Sequence, residues 1–360
     1  MENSKNVYEA LNKMDFDFED YEKEALSDME KKKLKDSFNK NKRKRFNFKK
    51  VSSIVAASIL TIGLFSQTGF GQNVYASALS KLSEISYSIG NSLGIERDIE
   101  LYVNVIDQIV EDNGIEVKLT DVIMDKDELI FSTIVNPNIN MGSGFNFEHM
   151  NIYLNGKRLN SSGGGSSGLI DGMDNLFFET YAANIKFSNI KDINPDEDID
   201  IKIVLKDIRS FVGDSNETEI TKGKWEFEFK ADGRELNKGT YVLPIDYSFN
   251  VGEQKYILNE FSYNPIKQKI YGSIENFDGD NFNDIKLSGY DDLGHEVEFY
   301  RSTSDKEEFI LVHSNISQDL TDQSTSMTLV PYAVAFPKEN GRMSNDFKQV
   351  GEEFTIVLNK

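Results

Sequence analysis

Few side chains in this sequence are of a kind that does chemistry, and their spacing limits which chemistry is open to them. There are three histidines, His149, His295 and His313. A general base or a zinc site would have to gather them from distant points of the chain. His295-Glu296 is not followed by a histidine three residues after the glutamate, so the two-histidine helical zinc pattern is absent. The three read as exposed or core-satisfied histidines rather than catalytic groups. Gly164-Gly165-Ser166-Ser167-Gly168 matches the G-x-S-x-G of hydrolases. A nucleophile elbow needs a strand before it and a helix after it, whereas these residues read as part of a flexible run over 161–168. That run also lacks the lysine of a phosphate-binding loop. Asp278-Gly279-Asp280-Asn281-Phe282-Asn283-Asp284 offers oxygens at the close spacing calcium uses, but lacks the glycine and distal glutamate of an EF-hand loop. An Asp/Asn turn is the simpler reading. The chain has no cysteine, which excludes disulfides, thiolate metal sites and a cysteine nucleophile. No catalytic residue, metal or cofactor is assigned, and the expectation is a protein that is not an enzyme.

The elements that would carry these residues are mainly strands. From Ile99 onward apolar residues recur with period two: Leu101, Val103 and Val105 lead to the turn Glu111-Asp112-Asn113-Gly114, and Ile115, Val117 and Leu119 return. A turn around Asp125-Lys126-Asp127 precedes 129–135, an apolar run suited to a strand buried on both faces. Residues 152–159 read as a hairpin turning at Asn155-Gly156, and Trp225, Phe227 and Phe229 share one strand face. After a boundary near 231–235, short strands continue to Leu358. The predicted fold is a mainly β ectodomain, two antiparallel Ig-like β-sandwiches in tandem over 95–231 and 232–360. Without disulfides, both must be held by core burial alone.

Charge divides the chain. No charged residue lies between Lys50 and Lys81, and Lys40, Lys42, Arg43, Lys44, Arg45, Lys49 and Lys50 stand just before the gap. The apolar run over 51–70 has about the length a helix needs to cross a bilayer. Val51, Ile54, Ile59, Leu60, Ile62, Leu64 and Phe65 are its membrane-anchor residues. The positive-inside rule then keeps the N-terminus in the cytoplasm and the C-terminal part outside, as a single-pass protein of the cell membrane. A cleaved secretory signal is the rival, with Ala76-Ser77-Ala78 as cleavage pattern, but fifty preceding residues are too many for an ordinary n-region. The formal charge is −20; residues 1–50 hold 14 Lys and Arg against 11 Asp and Glu, leaving 26 against 49 for the rest. So acidic an outer part is unsuited to nucleic acid. Over 71–94, Val74, Ala78, Leu79, Leu82, Ile85 and Ile89 predict a juxtamembrane amphipathic helix ended by Gly90-Asn91.

Residues 1–50 read as a cytoplasmic tail with short helices. Val7 and Leu11 begin an apolar stripe, and Ser27-Asp28-Met29-Glu30 fits a capping box. Between them Asp15-Phe16-Asp17-Phe18-Glu19-Asp20-Tyr21 alternates acidic and aromatic residues, either a solvated tether or a docking strip for a basic partner surface.

This layout resembles a family of Gram-positive anti-sigma-factor-like single-pass membrane proteins, whose extracytoplasmic domain of unknown function precedes a second uncharacterised β domain. The resemblance is carried by Val7 to Met14, Ser27 to Lys32, Tyr102-Val103-Asn104, 110–122, Asp125 to Leu129 and Gly223 to Phe229. It implies that residues 1–50 sequester an extracytoplasmic-function sigma factor through Val7, Leu11, Phe16, Phe18 and Tyr21. The outer part would sense a ligand, an envelope state or a protease. The zinc-binding His and Cys motif of the best-known anti-sigma domains is absent, so such contacts would be helical and electrostatic. The alternative is an envelope-anchored, non-enzymatic binding or structural protein.

Overall fold

The computed structural model describes residues 82, 85 and 89–358 apart from short internal stretches, of which 315–322 is the longest. The secondary structure is mainly β, in three antiparallel sheets. The first runs in the order β1 (Asn104–Asp112), β2 (Ile115–Met124), β3 (Glu128–Asn136), β7 (Phe177–Asn184), β6 (Gly163–Leu169). The second runs β5 (Lys157–Arg158), β4 (Phe145–Leu154), β8 (Ile199–Val212), β9 (Glu217–Ala231). Asn113 and Gly114 both take positive φ at the β1–β2 turn, as do Asn155 and Gly156 between β4 and β5, which matches the twist of hairpins.

The inner faces of these two sheets share one core. Alternate residues Ile199, Ile201, Ile203 and Leu205 of β8 and Trp225 and Phe227 of β9 meet Val117, Leu119 and Phe131 from the first sheet. Trp225 is fully buried, and its indole N–H donates to the Ile115 carbonyl at 3.0 Å, which satisfies the one polar atom of the ring. The outer face of the first sheet is covered too. Leu82, Ile109, Ile134 and Ile170 form one cluster there; Ile89, Ile99, Ile123, Ile130 and Leu236 form another. This double burial explains why β3 is apolar on both faces. The predicted helix over 71–94 is corrected in its end: α1 spans Ile89–Leu93, so Gly90-Asn91 lie inside it rather than stopping it. Its first N–H, that of Ile89, donates to buried Asp121 Oδ2 at 2.9 Å.

The third sheet runs β10 (Tyr241–Val251), β11 (Gln254–Tyr263), β12 (Gln268–Glu275), β15 (Glu308–His313), β14 (Glu296–Ser304), β13 (Asn283–Asp291), β16 (Ser326–Ala335), β17 (Lys348–Gln349), with β18 (Phe354–Val357) also on β16. It wraps around its own core of Tyr256, Leu258, Phe261, Ile270, Phe299 and Phe309. Tyr247 of edge strand β10 stacks on Phe354 at 4.1 Å and donates its hydroxyl to the Glu352 carbonyl at 2.6 Å, so the two ends of the sheet meet through side chains. Between the two regions lies α2 (Arg234–Lys238).

The Ig-like expectation is therefore corrected. One region pairs a five-stranded with a four-stranded sheet in a different strand order, and the other is a single continuous sheet rather than a pair. Alternating period and turns specify strands but not which sheet each strand joins.

Gly272 lies directly opposite Phe309 in the β12–β15 register, and a Cβ there would overlap the buried phenyl ring. Gly272→Ala is expected to cost about 1–3 kcal/mol in urea unfolding, as overpacking does. An unchanged midpoint would show that the ring shifts freely.

Candidate functional site

Among the described residues, three carboxylates gather where the β2–β3 turn meets β12. Asp125 opens the turn, its N–H donating to the Glu128 carbonyl at 2.9 Å, and the turn thereby projects Asp125, Asp127 and Glu128 together. On β12, Ile270 faces the core of the third sheet, so the period of two turns Lys269 and Tyr271 the other way. Lys269 Nζ lies 2.8 Å from Asp125 Oδ2, 2.6 Å from Asp127 Oδ1 and 2.7 Å from Glu128 Oε1. The last contact is off the hydrogen-bond axis and acts as a Coulombic one. Glu128 Oε2 takes Lys267 Nζ at 2.8 Å, Tyr271 Oη donates to Asp127 Oδ2 at 2.9 Å, and Asn264 Nδ2 donates to Asp125 Oδ2 at 3.3 Å. The Lys269 side chain is 3% exposed.

Burial alone would push the Lys269 ammonium to lose its proton, but Asp125, Asp127 and Glu128 outweigh it and hold the pKa well above the usual lysine value. Glu128 is also buried, yet Lys269 and Lys267 bring its carboxyl down to about 2. Its stabilisation is thus complete above its ordinary value of 4.5 and lost as pH falls through about 2. Asp127 goes up: burial dominates, Lys269 opposes, and the neighbouring carboxylates Asp125 and Glu128 add to the rise. Burial also raises the Tyr271 phenol.

Asp125, Asp127 and Glu128 are a set of hard oxygen donors close enough to hold a cation. The Lys269 ammonium stands within ion-pair distance of all three, in the place such a cation would take. The cluster accordingly acts as a clamp between the two β regions. Beside it a cleft of about 280 Å³ is lined by Lys126, Lys186 and Tyr271, with the two ammonium groups 4.2 and 5.1 Å from the centre of the tyrosine ring. A second cleft, of about 350 Å³, lies between β6–β7 and the third sheet. Sequence reasoning took 125–127 as a turn only; the overlooked signal was Lys269, a charge inside an otherwise buried strand.

The structure separates the other candidates. His149 is exposed on β4; His295 sits at the β13–β14 turn; His313 ends β15, buried edge-on against Phe299. Asp291 Oδ2 lies 3.0 Å from His295 Nδ1 and accepts Ser324 Oγ at 2.7 Å, so serine and histidine share an aspartate instead of contacting in the order a nucleophile needs. Gly164 to Gly168 are not a loop. They lie in edge strand β6, where Tyr181 of β7 packs so close to Gly163 that a Cβ there would overlap its ring. The absence of side chains, which suggested flexibility, is what admits the ring. In the Asp/Asn turn, Asp284 pairs with Arg301 Nη2 at 3.2 Å; Asp280 and Asn281 lie outside the described residues. The partner-binding candidates Val7, Leu11, Phe16, Phe18 and Tyr21 lie outside the described residues, as do Val51, Ile54, Ile59, Leu60, Ile62, Leu64 and Phe65.

Fold and clamp together define a mostly β, two-domain protein. Residues 43–136 match a family model described as a domain of unknown function (DUF4179), and residues 240–358 match one described as a family of unknown function (DUF5643). A crystal structure of a conserved domain protein from Bacillus anthracis is similar, with a TM-score of 0.54 and 15% identity over 73% of this chain and 94% of that one. At that identity the likeness shows a shared fold. No curated protein matches the chain.

These findings correct the anti-sigma-factor reading. The matched families and the similar structure carry no sigma-factor binding in their descriptions. Among the described residues no helix is long and apolar enough to cross a membrane. The single-pass cell-membrane topology, with a cytoplasmic tail and an extracellular β part, is therefore withdrawn, together with the sigma-factor, membrane and external-signal partners that depended on it. The apolar run over 51–70 itself lies outside the described residues.

Proposed function

We propose that this chain is a non-enzymatic binding or structural protein whose two β regions act as one body. The observation that carries this reading is the clamp: three carboxylates, two of them buried, converge on a buried lysine ammonium of the other region, a geometry that fixes and does not turn over. Supporting it, the serine and histidine that come nearest to a catalytic arrangement are both committed to Asp291. Clefts on either side of a rigid junction are the usual places for ligands to lodge. The test is a panel of ester, peptide and glycoside substrates offered to the purified chain. No turnover above buffer is expected; hydrolysis abolished by Ser324→Ala or His295→Ala would overturn the reading.

A further inference from the structure

The larger cleft carries one polar atom that the fold leaves unsatisfied. Gln268, at the start of β12, is 4% exposed, and its Oε1 is buried with no hydrogen-bond partner. Leaving such an acceptor unpaired costs about 1–3 kcal/mol, so a ligand that brings a donor recovers that energy. The cleft is bordered by Gly164, Gly165 and Ser166 of β6.

Strand β6 is independently unusual. It is the last strand of its sheet, pairing with β7 on one side only among the described strands. Edge strands are ordinarily guarded by lysine, proline or a bulge, yet Gly163–Leu169 has no charge and no proline, and its register with β7 runs without a shift. Six of its seven residues are exposed. An open ladder of this kind is a template for a further strand, with main-chain hydrogen bonds giving affinity and alternate side chains giving selectivity.

We propose that an extended segment of a partner protein adds to the β6 edge as a sixth strand and places one side-chain amide, from Asn or Gln, in the cleft against Gln268 Oε1. Strand addition sends every second side chain to the face on which Thr180, Ala182 and the cleft lie. A primary amide fits there for two reasons. Its NH₂ supplies the donor that Gln268 lacks, and its carbonyl can accept from the guanidinium of Arg97, which also lines the cleft; the other lining cation, Lys267, is paired with Glu128. Those cations disfavour a lysine in the same place, and an apolar side chain would leave Oε1 unpaired.

This inference rests on the binding reading above, and the experiment separates the two. The probe is a fluorescein-labelled seven-residue peptide of alternating threonine and valine with a central asparagine, followed by polarisation. Wild-type protein is expected to bind it saturably, and Gln268→Leu to weaken binding about tenfold while gaining on the same peptide with leucine at its centre. A Cβ on Gly164 meets nothing within 4 Å, so Gly164→Lys leaves the sheet intact while guarding the edge; it is expected to abolish binding to both peptides. Hydrogen exchange of the β6 amides should slow on binding to wild type alone. No saturation by wild type, or equal binding by Gln268→Leu, would overturn the proposal. So would a concentration-dependent dimer abolished by Gly164→Lys, which would assign the edge to a second copy of the chain. Cleavage of the peptide would instead overturn the non-enzymatic reading and leave the site in place.

Discussion

Lys269→Met is expected to destabilise the protein by about 3–5 kcal/mol at pH 7, against about 0–1 kcal/mol for removing an exposed ion pair. The difference comes from what is left behind. With the ammonium gone, Asp125 and Asp127 remain buried at the junction and Glu128 partly buried beside them, with Lys267 paired to Glu128. Methionine fills the volume of the lysine stem, so the loss measures charge rather than a cavity. Two further results follow from the same physics. Asp125→Asn, Asp127→Asn and Glu128→Gln, added together to Lys269→Met, should recover most of the stability, because a cluster of the same shape then holds no stranded carboxylate. The single variant should also lose less at pH 4 than at pH 7. Burial already raises the Asp127 carboxyl and Lys269 is what opposes the rise, so without the ammonium protonation of Asp127 favours the folded state and the deficit shrinks as pH falls. Urea unfolding at both pH values is the measurement. A deficit below about 1 kcal/mol at pH 7 would show that the cluster is worth no more than a surface pair.

Glu179 produces the second large effect, with opposite sign to Glu128. It lies on the face of β7 shared by Phe177, Tyr181 and Ala183, turned into the core between the first two sheets. Its Oε2 has no hydrogen-bond partner, and burial pushes the carboxyl up to about 8. The folded protein therefore keeps Glu179 protonated at neutral pH, whereas the unfolded chain releases the proton near the ordinary value of 4.5. Stability is full below that value and declines by about 1.4 kcal/mol per pH unit up to pH 8, a total of about 5 kcal/mol. Above pH 8 this contribution is flat. Glu128 titrates below 4.5, so the two windows do not overlap. Glu179→Gln keeps the shape and removes the proton. Its unfolding midpoint should stay level between pH 5 and 8 where that of wild type falls, and should exceed wild type at pH 8.5. Parallel slopes for the two proteins would mean that the carboxyl is hydrated in the folded state.

Much of the architecture is written locally. Asn113-Gly114 and Asn155-Gly156 are legible as hairpin turns because few residue pairs accept positive φ at both positions. The run 129–135 is legible as a doubly buried strand because it lacks a polar face. Strand β6 escapes the same reasoning. Glycine and serine carry no periodic signal, and what makes this segment a strand is Tyr181, on a neighbour that follows it in the chain. The Ig-like assignment failed for a related reason, since hairpin signals constrain adjacent strands and say little about how sheets close.

The candidate site was legible only as parts. Asp125, Asp127 and Glu128 read as a turn, and Lys269 as a residue of a strand; 144 residues separate Asp125 from Lys269. By itself the sequence determined the period-two strands, the tight turns, the absence of thiol chemistry and an acidic charge balance, all of which depend on residue type or near neighbours. Only the tertiary structure decided that three carboxylates converge on one ammonium, that Glu179 has no counterion among the described residues, and that Gln268 lines a cleft beside an unguarded edge. Each of these depends on which groups share a desolvated space. That is set by the order of strands in the sheets and by how the two β regions meet, neither of which leaves a mark on local periodicity.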